Sequence, residues 1–237
     1  MVLLRDSKIM KIIKIVLFSL IESAIRNISG GLGRRLRAVY YSRRFKSCGV
    51  NLTIDEGVIF HNSENITVGD NVWFNCYAMV TAGATSKPDF SGRIIKEREN
   101  TGFNGEVGEI IIGDESGIGA YSTIQGLGGI KIGSRVTMSS YCKVFSFSHM
   151  PNDPSDLSKI TYATSMVKDK PIACIISPVV IEDGVWLGLS VSVFGGTVGS
   201  LSFVSTNSIV IKDIPNNSYA SGSPAIKIKE RFHLNEK

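Results

Sequence analysis

Apolar residues recur along this chain at every sixth position. The beat runs through Val68, Phe74 and Val80, then Ile112, Ile118 and Ile124, then Ile132, Met138 and Val144. It resumes at Ile181, Leu187 and Val193, and again at Val198, Val204 and Val210. All fifteen positions are apolar, and Gly follows six of them, at 69, 113, 119, 133, 188 and 199. Four residues after the beat stands a small or β-branched residue: Val72, Ala78, Ser116, Ser122, Val136, Cys142, Val185, Val191, Ser202 and Ser208. A helix repeats near 3.6 residues and a flat strand at 2, so neither sustains this period. Triangular coils do: each unit is a short strand plus a corner, with one large side chain pointing inward and a small one beside it. The pattern predicts an all-β solenoid.

Outside the beat the periodicity changes. Ile9, Ile12, Ile13, Val16 and Leu20 recur at helical spacing and predict an amphipathic helix over 8–28. Gly30, Gly31 and Gly33 are expected to break it, with a second basic helix from Leu36 to about Lys46. The resulting division is a basic, mainly helical arm at 1–49, a solenoid at 50–214 and a C-terminal extension at 215–237. The first coil, with Ile54 and Phe60, is irregular. Two long loops interrupt the beat, near 81–108 and near 145–180, the second carrying Pro151, Pro154 and Pro171. Long insertions without the repeat are usually functional. Two register changes, between Ile124 and Ile132 and between Val193 and Val198, are assigned to corners.

Charge changes the picture of the arm. The net +5 is uneven: residues 1–50 hold eleven Lys/Arg against Asp6 and Glu22, or +9, leaving −4 for the remainder. A basic arm on an acidic body points to an anionic surface as neighbour, either lipid or glycan. Nucleic acid is not expected, since no basic motif of the nucleic-acid-binding kind accompanies the charge. The uncharged stretch Ile15 to Ile21 is too short to span a bilayer. Lys8, Lys11 and Lys14 mimic a signal peptide, but Glu22 interrupts the apolar run and no cleavage site follows, so an uncleaved arm is expected. The arm's apolar stripe can pack on the protein's own assembly or dock on an anionic inner membrane. The four Cys show no CxxC spacing, which fits reduced thiols and a cytoplasmic location, and Cys142 falls on a packing position.

The stretch Pro178-Val-Val-Ile-Glu-Asp-Gly-Val-Trp-Leu-Gly188, with Ser205 to Pro215 and Ala220-Ser-Gly-Ser-Pro-Ala225, resembles the C-terminal signature of the hexapeptide-repeat acyltransferase superfamily. Within it the residues are similar to the branch of galactoside, maltose, virginiamycin and polysaccharide O-acetyltransferases. The resemblance covers about residues 50–230. It implies a left-handed parallel β-helix, a homotrimer with active sites between subunits, and acetyl-CoA as co-substrate. The arm, with Arg34-Arg35 and Tyr40 to Lys46, resembles that of polysaccharide-modifying members.

The resemblance also implies roles. His149, in Phe145-Ser-Phe-Ser-His-Met, stands where the family places its catalytic base. A sugar hydroxyl is a poor nucleophile, and imidazole, titrating near neutrality, can accept its proton. His61 reads as a surface corner residue and His233 as a solvated tail residue. Asn75 matches an acceptor-binding Asn, or is a left-handed corner residue. Tyr77 stands where relatives often have a second Asn, which departs from simple galactoside or maltose specificity. On the cofactor side the matches are Trp186, Gly188, Ser190, Thr206, Ser208 and Lys212, with Lys227 one place beyond the usual basic position. Trp186 reads equally as a wall residue, and both Lys as solvated charges. No metal is expected: three scattered His do not form the three-His zinc site of other β-helix proteins. The leading expectation is O-acetylation of a saccharide acceptor, a bacterial surface polysaccharide (O-antigen or capsule) or its precursor. Open alternatives are another small acceptor, such as a nucleotide amino sugar, serine or an antibiotic, and a non-catalytic scaffold.

Overall fold

A computed structural model describes residues 2–83, 93–100, 102–162 and 172–232. The beat becomes three walls of parallel strands that the chain visits in fixed rotation. Coil 1 uses Ser47–Cys48, Thr53–Ile54 and Ile59–His61; coil 2 uses Ile66–Val68, Trp73–Phe74 and Met79–Ala82. Coil 3 uses Ile110–Ile112, Gly117–Ile118 and Thr123–Gly126; coil 4 uses Ile130–Ile132, Thr137–Met138 and Lys143–Phe145. Coil 5 uses Val179–Ile181, Trp186–Leu187 and Ser192–Phe194; coil 6 uses Gly196–Val198, Phe203–Val204 and Ile209–Val210. Every coil pairs in register with the next, as in Ile118 beside Met138 beside Leu187 beside Val204.

The fifteen beat residues are at most 2% exposed, and the ten small residues beside them at most 1%. Buried serines in the small column bridge successive coils. Ser116 donates its hydroxyl to Gly133 O at 2.9 Å and accepts the Val136 N–H at 3.0 Å. Ser202 does the same with Pro215 O and Ser218 N–H, so these interior hydroxyls are satisfied. Glycine after the beat answers a carboxylate on the next coil. Asp114 Oδ1 accepts the Asp70 N–H at 2.7 Å, and a Cβ on Gly69 would fall 2.2 Å from that oxygen. Gly133 stands in the same relation to Asp183. Both expected register changes lie at corners between the third and first walls, at Gly126–Gly129 and at Gly195 and Gly196.

The ends differ from expectation in detail. Helix α1 spans Val2–Arg26 and α2 spans Gly30–Ser42. The three glycines therefore begin the second helix. A Cβ at Gly33 would fall 1.7 Å from Ile28 O, so glycine permits the close approach of the connecting turn. The solenoid begins at Ser47, ahead of 50, because that strand already pairs with Thr67 and Val68. Aromatic rings close its open end: Tyr41 of α2 packs on Phe60 at 4.7 Å between centroids, Phe45 on Phe60 at 5.0 Å, and Phe60 on Phe74 at 5.0 Å. A solenoid end must be covered in this way. Buried Arg37 ties the arm to the prism. Its Nε donates to Ile54 O at 3.0 Å and its Nη1 reaches Ile25 O, Arg26 O and Ile28 O at 2.9, 3.2 and 2.8 Å. These carbonyls lie at and beyond the end of α1, where the helix offers too few N–H partners, and Arg26 O also accepts the Gly57 N–H at 2.9 Å.

The C-terminal extension does not leave the solenoid at 215. Ile214 bridges to Val198, and Ser218–Gly222 adds to the second wall beside Phe203–Val204. Ala225–Glu230 then folds back antiparallel on Ser218–Gly222. The two insertions are not simple loops either. Arg93–Glu97 from the first pairs parallel with Ile172–Ile176 from the second, which pairs antiparallel with Phe147–Met150.

Truncating Ile118 to Ala should cost about 2–5 kcal/mol, because the stacked coils cannot collapse into the void; equilibrium denaturation reads this. A pH effect is expected at Glu109. Burial raises its carboxyl, but Lys46 Nζ at 2.8 Å and the Glu106 N–H outweigh burial and hold it below its ordinary value. A depressed carboxyl stabilises the fold above its unfolded value and loses that contribution as pH falls through its folded value. Glu109→Gln should therefore lower Tm near neutrality, and the gap to the parent should narrow as pH falls through the carboxyl's folded value.

Candidate active site

The chain leaves the third wall at Phe145 and turns on Ser146, whose Oγ accepts the Gly128 N–H at 2.9 Å while its O accepts the Ser177 N–H at 2.9 Å. This pins both ends of the second insertion. The strand Phe147–Met150 follows and places His149 opposite Cys174. The imidazole is exposed, its Nδ1 lies 3.5 Å from Cys174 Sγ, and the Phe147 ring stands edge-on at 5.2 Å. In the tautomer whose Nδ1–H donates to sulfur, Nε2 carries the lone pair that a general base requires. A hollow of about 50 Å³ beside this strand is lined by Arg98, Phe145, Phe147, Ser148 and Phe194. Sequence reasoning missed Arg98, which stands in the charge run Lys96-Glu97-Arg98-Glu99 and gains its place only because the two insertions pair.

Asn75 and Tyr77 lie on another edge, between the second and third walls. Asn75 is half-buried and its Nδ2 donates to Ile118 O at 2.9 Å, which ties coil 2 to coil 3. The left-handed residue of this corner is Tyr77, at φ 60°, rather than Asn75. Tyr77 stacks on Tyr121 and Tyr121 on Tyr141, each pair 5.2 Å between centroids, with all three rings half-exposed. The ladder was legible: each Tyr stands three residues after a beat. In coils 5 and 6 the column continues with Ser190 and Asn207, also left-handed, at φ 58° and 59°.

The residues matched to the cofactor side divide among several faces. Gly188, Ser190 and Thr206 share the Tyr77 edge. The Gly188 and Ser190 N–H groups are already donated, to Val204 O at 2.8 Å and Ser140 O at 3.0 Å; the Thr206 side chain is exposed. Ser208 faces inward, 1% exposed, and its Oγ accepts the Gly222 N–H. Trp186 lies on the outer face of the second wall, half-exposed, its Nε1 donating to Ser139 Oγ at 3.1 Å. Lys212 is exposed just after the last third-wall strand, on the same edge from which the His149 insertion departs. Lys227, in the final strand, is paired with Glu230 at 2.5 Å. His61 ends a third-wall strand, exposed; His233 lies outside the described residues. Within one chain, the edge of Tyr77, Ser190 and Thr206 and the edge where the His149 insertion departs are separated by the third wall. Cys142 packs inside, donating to Gly188 O at 3.2 Å, and burial pushes its thiol up to about 11. Among the described residues no group of three or more His, Cys, Asp or Glu is placed to hold a metal.

No protein-family model matches the chain. It is 30% identical over 141 residues to a Mycobacterium tuberculosis protein named as a probable acetyltransferase, covering 59% of this chain and 43% of that one. The chain spans less than half the length of the curated relatives it matches. In structure it resembles a mutant of AntD, an N-acyltransferase of Bacillus cereus solved with dTDP-4-amino-4,6-dideoxyglucose and coenzyme A. The TM-score is 0.64 at 18% identity, covering 83% of this chain and 90% of that one. It also resembles a hexapeptide-repeat acetyltransferase of Vibrio cholerae, with a TM-score of 0.52 at 18% identity, covering 91% and 89%. At these identities the structural likeness speaks for the fold. Taken with the six-residue beat and the three rotating walls, it shows that the chain shares the fold of these hexapeptide-repeat acyltransferases.

Proposed function

We propose that this protein is an acetyl-CoA-dependent O-acetyltransferase that modifies a sugar hydroxyl of a bacterial surface polysaccharide or its precursor, on a left-handed β-helix. The observation that carries the reading is His149: an exposed imidazole braced by Cys174 and Phe147 at the root of an insertion sheet. The chain's own surfaces suit the co-substrate. Beyond Tyr141 the edge carries the smaller side chains of Ser190, Thr206 and Asn207, which suit a slender pantetheine chain, and Lys212 offers an exposed ammonium for phosphate. Lys227 is less suited, being held by Glu230. Acetyl-CoA, when bound, supplies an acetyl group activated as a thioester. His149 takes the proton from the sugar hydroxyl as its oxygen attacks the acetyl carbonyl, and returns a proton to the departing thiolate.

A second reading has its own support. AntD, with a similar fold, is an N-acyltransferase solved with a nucleotide-linked amino sugar. An amine acceptor would use the same base. Acceptor profiling by mass spectrometry separates the two, an ester product supporting the first and an amide the second.

Full-length protein with acetyl-CoA and candidate glycans should release free thiol. His149→Ala should lower turnover by about 10²–10⁴, the usual contribution of a general base; undiminished turnover would exclude this mechanism. The third wall between the two edges motivates a homotrimer in which His149 of one chain faces the Ser190 edge of another. Sedimentation equilibrium should return three chains, and a fully active monomer would remove this arrangement.

A further inference from the structure

Helix α1 uses only part of its apolar surface to hold itself in place. Toward α2 it presents Phe18, Ile21 and Ile25, and Glu22 Oε1 accepts the Tyr40 hydroxyl at 3.0 Å. On another side it carries Ile13, Val16, Leu17 and Leu20, at i, i+3, i+4 and i+7, each 52–64% exposed. That spacing draws one continuous stripe along the helix. Helix α2 adds Leu32 and Val39, 66% and 54% exposed. Between the helices lies a largely apolar groove of about 530 Å³, its lining including Leu36, Val39, Arg43 and Arg44. Solvent-exposed apolar surface of this continuity marks an interaction site rather than a scatter of surface residues.

The charge beside the stripe says what covers it. The arm holds Arg35, Arg43 and Arg44 close in sequence to Leu32, Leu36 and Val39, within the +9 of residues 1–50, while the rest of the chain is net acidic; Arg34 and Lys46 are paired within the chain, with Asp55 and Glu109. Arg35 and Arg43 are exposed, and the Arg44 guanidinium lies 4.3 Å from the Phe18 ring centroid. Two such arms would repel one another, so a second copy of this chain is the poorer occupant. A surface that combines apolar depth with negative charge is the better one. No helix among the described residues is long and apolar enough to cross a membrane, so contact is from one side.

We propose that α1 and α2 form an anionic-membrane docking surface, with the Ile13–Leu20 stripe lying in the headgroup–acyl boundary and the arm's arginines on lipid phosphates. The proposal goes beyond acyl transfer and stands whether or not that reading holds. The full-length chain should co-sediment with vesicles of phosphatidylglycerol and phosphatidylcholine at low salt. It should leave them as salt rises, since exposed charges are screened beyond roughly 8–10 Å, and it should bind phosphatidylcholine alone weakly. The double variant Leu17→Glu, Leu20→Glu, with unchanged Tm, should bind the anionic vesicles more than about tenfold less well, because the stripe cannot then enter the boundary. Binding of the parent to anionic vesicles undiminished in that variant would overturn the proposal. So would no binding at low salt, or a variant that alters the assembly state on sedimentation while leaving vesicle binding intact, which would assign the stripe to a second copy.

Discussion

In-register stacking of parallel coils constrains everything else in this molecule. Each coil must place a large apolar residue over the one before it, since a slip of one residue would turn the inward side chains outward. The stack also decides residues that do no packing of their own. Gly69 is glycine because Asp114 of the next coil stands where its Cβ would be. Ser116 is a buried hydroxyl because the coil above offers one carbonyl and one N–H at the right height. The inward column and the corners are thus two expressions of one repeat distance, and the insertions can leave only where a corner tolerates them.

That repeat is why so much of the fold was legible. The beat named the core residues, the small column and the corners at Gly126–Gly129 and at Gly195 and Gly196. The Tyr77–Tyr121–Tyr141 ladder follows the same arithmetic and could have been read with it. Legibility failed where the repeat stops. Gly30, Gly31 and Gly33 signalled a break, yet their role depends on how closely a turn approaches Ile28, which spacing alone does not encode. The C-terminal extension lost the six-residue period but kept its wall, because backbone pairing continues after the inward side chains shrink to Ala220. The insertion sheet joins segments far apart in the chain, with no periodic signal to announce the pairing.

The candidate site shows the same division. His149 stood out through a motif, but its brace, Cys174, and Arg98, which lines the hollow beside its strand, come from distant segments and carried no signal of their own. The residues on the cofactor side were found as a set and then dispersed by the structure. Ser208 turned into the core, Lys227 into an ion pair, and Trp186 onto the face of a wall. A linear signature mixes residues that face a ligand with residues that only let the coil close, and the burial of each side chain separates them.

The insertion sheet also sets an order of assembly. A solenoid grows by local steps, each coil finding the previous one a short distance back. The strand Ile172–Ile176 must instead meet Arg93–Glu97 from an earlier insertion, and only then can it carry Phe147–Met150 on its other side. Closing so long a chain segment is entropically costly and slow. The scaffold can therefore be complete while the imidazole is still unplaced, so maturation of the candidate site trails the formation of the body that bears it.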